Sequence, residues 1–133
     1  MNQSESKIYK YLLLIQGGYF LVTGAWPLFS IESFMEITGP KLETWLVQVA
    51  GVLIVSIGLS LLAASRDRHR RLATLVLGGV SAGGLLSVDV IFYLNGDIGA
   101  VYLLDAVVEF AFVVLWIWIS YWFWVEMRFR EMV

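Results

Sequence analysis

Four long stretches of the chain are almost free of charge: 11–29 (YLLLIQGGYFLVTGAWPLF), 44–64 (TWLVQVAGVLIVSIGLSLLAA), 72–94 (LATLVLGGVSAGGLLSVDVIFYL) and 101–125 (VYLLDAVVEFAFVVLWIWISYWFWV). A helix needs about 20 mostly apolar residues to cross a bilayer, and a transmembrane strand about 10 of alternating polarity. These runs have the helical length and do not alternate. The pattern predicts an all-α membrane protein: an antiparallel four-helix transmembrane bundle, forming a single integral membrane domain over 1–133.

Only the first connection, SIESFMEITGPKLE (30–43), has content of its own. Ser30 is suited to cap a helix, and Ile31, Phe34 and Met35 would share one face of it. Gly39-Pro40 would end that turn and open the next helix. The segment 31–38 therefore reads either as a short helix on the outer membrane surface or as a plain loop. Lys7 and Lys10 precede the first run in the manner of a signal peptide. That run is too long for an h-region, and Ala25-Trp26-Pro27 offers no small-residue cleavage site, so it reads as a membrane anchor.

Composition supports the membrane assignment. The chain is 59% hydrophobic and 15% charged, with a mean hydropathy of +0.79, whereas soluble domains carry about a quarter charged residues. There is no cysteine, which excludes disulfides, thiol redox chemistry and lipid attachment through Cys. The distribution of charge matters more than its sum. Lys7, Lys10, Arg66, Arg68, Arg70, Arg71, Arg128 and Arg130 fall on one side of a four-span topology, and Lys41 alone on the other. The positive-inside rule then places both termini and the RDRHRR loop in the cytoplasm.

The basic RDRHRR loop (66–71) suits topology and anionic headgroups, and no nucleic-acid partner is expected. Its His69 is the only histidine, so no span offers an imidazole to haem or zinc. Gly79 and Gly83 form a GxxxG pair that suits close packing within the chain, or a homodimer. The aromatic segment WIWISYWFW (116–124) reads as an interfacial anchor belt.

The candidate chemistry is acidic. Asp89, Asp105 and Glu109 lie inside apolar runs, with no Lys or Arg between residues 87 and 109. At a rise of 1.5 Å per residue, Asp89 lies about 9 Å, Asp105 roughly 8 Å and Glu109 roughly 14 Å below the outer ends of their spans. Asp105 and Glu109 are one helical turn apart on a shared face, and an antiparallel neighbour would bring Asp89 to the depth of Asp105. Gln16, Tyr19, Thr23 and Trp26 form a stripe on the first span, Trp45 and Gln48 stand near the outer end of the second, and Tyr93 and Tyr102 flank the acids. These residues suggest a polar, aromatic-lined cavity in the outer half of the bundle. A neutral carboxylic acid there could donate to Gln48, Thr23 or a ligand. Alternatively a hard cation such as Ca²⁺, Mg²⁺ or Na⁺, or an organic amine, would supply the missing charge. Acids within a membrane are rare and point to function.

TGPKLETWLVQVAG (38–51) and YLLDAVVE (102–109) resemble a pattern in small, uncharacterised four-span bacterial membrane proteins. The resemblance implies a bacterial inner-membrane protein with Trp45, Asp89, Tyr102, Asp105 and Glu109 at pattern positions, and it brings no activity with it.

Beyond the lipid bilayer, the expected partner is a small amphipathic, hydrophobic or amine ligand. Asp89, Asp105, Glu109, Gln48 and Thr23 would be its polar contacts, and Trp26, Trp45, Tyr93 and Tyr102 its aromatic walls. No cofactor is expected, and no paired nucleophile and base points to an enzyme. A proton- or cation-coupled transporter would need a polar path through Gln16, Ser56, Ser60 and Ser81. An accessory subunit of a membrane complex is the third reading.

Overall fold

The computed structural model describes residues 3–66 and 71–131. It contains five helices: α1 (Gln3–Phe29), α2 (Ile31–Thr38), α3 (Thr44–Ala64), α4 (Arg71–Leu94) and α5 (Tyr102–Glu131). Among the described residues there is no strand. Four of the helices, all but α2, are long and apolar enough to cross a membrane. Arg68, His69 and Arg70 of the basic loop lie outside the described residues.

α1 starts ahead of its apolar run and α5 continues past its own, because hydropathy marks the part of a helix that meets lipid. Backbone hydrogen bonds carry the helix further, so Lys7 and Lys10 occupy exposed helical positions. Between α1 and α3, Ser30 caps α2 by accepting from Ser33 N. Gly39, at φ 89°, stops it with its N–H donating 2.9 Å to Met35 O. Only glycine adopts that backbone without strain.

The spans associate as two hairpins, α1 with α3 and α4 with α5, which meet each other more sparsely. Glycines set the first hairpin. A Cβ on Gly17 would lie 2.9 Å from Gly58 O, and one on Gly24 2.9 Å from Gly51 O. From the other side, a Cβ on Gly51 or Gly58 would lie 2.6 or 2.8 Å from the Gly24 or Gly17 carbonyl oxygen. In each helix the paired glycines are seven residues apart, so they stay on one face along a shallow antiparallel crossing. Lipid gives helices no hydrophobic reason to associate, so close backbone contact between small residues supplies it instead.

In the second hairpin the tight contact is at Gly78, where a Cβ would overlap the Trp116 indole. Gly79 and Gly83, the sequence's candidate dimer pair, also face α5. A Cβ on Gly79 would lie 3.6 Å from Trp116 Cβ, and one on Gly83 4.0 Å from Val113 Cγ2. This face is used within the chain.

One buried polar contact joins the hairpins. Gln16, fully buried on α1, donates from Nε2 to Gly78 O at 3.0 Å and accepts at Oε1 from Trp116 Nε1 at 2.6 Å. Both ends of its amide are thus satisfied in an apolar setting, which is the condition for burying it cheaply. Trp116 is 2% exposed and stacks edge-to-face with Tyr9. It belongs to the core, together with Leu12, Leu13, Leu61, Ala82 and Phe112, and leaves the expected aromatic belt to Trp118, Tyr121, Trp122 and Trp124, all exposed. The Arg128 guanidinium lies 4.4 Å from the Trp124 ring centre.

Candidate functional site

Where the hairpins diverge, in the half of the bundle nearer α2, they enclose a cavity of about 260 Å³. All four spans and α2 contribute to its lining, and Asp89, Asp105 and Glu109 are all part of it. Each acid is placed by helix register. Glu109 lies one turn from Phe112 on the inward face of α5, and Asp89 lies on the face of α4 that meets α5. Asp89 is 6% exposed and Glu109 fully buried.

Asp105 is the best partnered of the three. The Tyr19 hydroxyl donates to its Oδ1. Asp89 Oδ2 and both oxygens of Glu109 have no hydrogen-bond partner. Among the described residues no Lys, Arg or His lines the cavity. Lys41 sits above it instead, with Nζ 5.2 Å from the Tyr102 ring centre and donating to Thr38 O at 3.1 Å.

A second cavity of about 190 Å³ adjoins the first. Thr23, Phe34, Tyr102 and Asp105 line both and form the wall between them. α2 roofs the pair. Phe34 packs edge-to-face on Trp26 at 5.6 Å, and Trp26 Nε1 donates to Ser33 Oγ at 2.9 Å, fixing α2 to the end of α1. Pro27 also lines the larger cavity. Lacking an N–H, it leaves the Thr23 carbonyl without its usual donor four residues on.

Of the residues singled out from sequence, Asp89, Asp105, Glu109, Thr23 and Tyr102 come together at the larger cavity, and Trp26 at the smaller. Three stand elsewhere. Trp45 and Gln48 lie on an exposed groove of α3 with Val49, Val52 and Leu53. Trp45 Nε1 donates to Glu43 Oε2 at 2.6 Å. The reason is register on α3: Gly51 and Gly58 face α1, the cavity takes the flank that carries Val47, Ala50 and Ile54, and Trp45 and Gln48 fall on the other flank of the seam. Tyr93 is 36% exposed at the end of α4, and it lines neither cavity. Sequence reasoning passed over Tyr19 and Phe34 as site residues. The signal for Tyr19 was its place on the stripe with Gln16 and Thr23.

Among the described residues no group of three His, Cys, Asp or Glu is placed to hold a metal ion. The suggested polar path is also interrupted. Ser56 and Ser60 are exposed and donate to carbonyls of their own helix, while Gln16 is committed to Gly78 and Trp116. On the side away from α2, the acids are backed by Phe20 and Phe112, whose rings meet edge-to-face at 6.5 Å.

These features define a multi-pass helical membrane protein with an acid-bearing cavity between two helical hairpins. Comparison of the chain with protein-family models, curated proteins and solved structures finds no match.

Proposed function

We propose that this protein binds a small amphipathic or lipid-like ligand in the cavity between the hairpins, with Glu109 and Asp89 as polar anchors. Asp105, Thr23 and Tyr102 support them, and Trp26 belongs to the roof. The observation that carries this reading is Glu109: a fully buried carboxyl lining a cavity, with neither oxygen partnered. A buried polar group without a partner costs several kcal/mol as an order of magnitude, and an occupant that bonds to it removes that cost. Apolar walls with a few convergent polar groups are the usual form of a small-molecule site. The interrupted polar path favours binding over transport. Native mass spectrometry of the gently purified protein is expected to show a bound mass in wild type that Glu109→Gln loses. Equally folded, ligand-free spectra from both would remove the reading.

The charge bias supports an orientation with both termini cytoplasmic and α2 on the outer surface, in the inner (plasma) membrane that the resemblance to bacterial proteins implies. Because the chain has no cysteine, single-cysteine variants report orientation cleanly. In intact cells, a membrane-impermeant maleimide is expected to label Glu36→Cys and to spare Lys10→Cys. The reverse pattern would invert the topology.

A further inference from the structure

We infer that the ligand is a primary ammonium on a single apolar tail, its N–H groups bonded to Glu109 and Asp89; this rests on the cavity being a ligand site and names the chemistry it selects. The argument begins with a count of acceptors. Three buried oxygens aimed at the cavity lack partners: Glu109 Oε1, Glu109 Oε2 and Asp89 Oδ2. Most nearby donors are already committed. The Tyr19 hydroxyl donates to Asp105, Thr23 Oγ1 to Tyr19 O at 2.8 Å, and the Gln16 amide to Gly78 O. The Tyr102 hydroxyl, which also lines the cavity, offers one O–H at most, so at least two of the three oxygens depend on the occupant, and a primary ammonium presents three N–H groups on one charged atom. Charge-assisted hydrogen bonds of this kind are the strong ones.

The rest of the lining restricts the ligand further. Phe20, Pro27, Phe34, Val47, Ile54 and Leu85 surround the acids with apolar surface. This surface suits a hydrocarbon tail and would leave a second charge on that tail unpaired. A phosphate attached beside the amine is disfavoured, because no basic residue among those described lines the cavity and the acids would repel it. A quaternary ammonium could use the aromatic faces but has no N–H to offer, so at least two of the three oxygens would stay unpartnered. A neutral alcohol of equal length has one donor and no charge.

The test uses the full chain in a mild non-ionic detergent with decylamine, decanol and decyltrimethylammonium as probes, read by native mass spectrometry and by thermal stabilisation. Decylamine is expected to bind about tenfold or more tightly than either of the others, as one charge-assisted hydrogen bond implies. Glu109→Gln is expected to abolish that preference, and Asp89→Asn to reduce it. The comparison of the three probes on the unaltered protein decides the matter even if Glu109→Gln fails to fold. Decanol binding as tightly as decylamine would overturn the amine inference and leave the ligand site standing. Equal binding of the trimethylammonium probe would overturn the need for N–H donors. If no probe binds, the ligand-site reading falls and the inference with it.

Discussion

Gly51→Ala is expected to destabilise the folded protein by about 1–3 kcal/mol, the usual cost of overpacking a tight site, and Gly51→Val by more. The new Cβ would sit 2.6 Å from the Gly24 carbonyl oxygen and 3.3 Å from Leu28. The first of these is backbone, which cannot rotate away as a side chain can, so α1 and α3 must separate along their seam. Gly84→Ala provides the control. Nothing lies within 4 Å of a Cβ there, and alanine has the higher helix propensity by up to about 1 kcal/mol. That variant is expected to be neutral or slightly stabilised. Unfolding in mixed detergent micelles checks both, and equal stability of the two variants would refute the seam as a determinant of packing.

The second large effect is expected at the contact between hairpins. Trp116→Ala removes a buried indole from the core and is expected to cost about 3–5 kcal/mol, as other large-to-small core changes do. Gln16→Leu leaves the Trp116 N–H buried without an acceptor, a loss of about 1–3 kcal/mol. The Gly78 carbonyl suffers less, because Ser81 Oγ also donates to it at 3.1 Å. Trp116→Phe keeps much of the ring and removes the N–H that needs Gln16. The double variant Gln16→Leu with Trp116→Phe should therefore lose less than the two single losses together. Strict additivity in this cycle would mean that the 2.6 Å bond contributes nothing to joining the hairpins.

The acid cavity depends on this arrangement. The glycine seam draws α1 and α3 together, and Trp116 on Gly78 does the same for α4 and α5. The Gln16 contact fixes one hairpin against the other on the side away from α2. Nearer α2 the Tyr19 hydroxyl of α1 also reaches across to Asp105 of α5, and the space beside this bond holds Asp89 and Glu109. Seam and cavity share residues, since Gly24 and Gly51 line the cavity as well as closing α1 on α3. A Glu109→Gln variant is expected to keep the Gln16–Trp116 contact intact, since Gln16, Gly78 and Trp116 do not line the cavity.

The chain's own pattern determined the class and the number of spans. Twenty or so apolar residues in a row have no lower-energy place than a bilayer, and they must satisfy their backbone internally, so four such runs mean four helices whatever their neighbours are. Periodicity also put Asp105 and Glu109 on one face of α5, because four residues are one turn. Partner choice was another matter. In lipid every apolar face is equally content, so hydropathy could not say which side of α3 would turn inward. That was decided by where two backbones could approach, through Gly51 and Gly58 against Gly24 and Gly17, and it carried Trp45 and Gln48 out of the cavity. The same holds for WIWISYWFW, whose aromatics look alike along the chain. Only packing against Gly78 and the bond to Gln16 separated the buried Trp116 from its exposed neighbours. Membership of a helix follows from local chemistry. The face a side chain presents, and whether a buried acid finds a partner, is settled only when the helices meet.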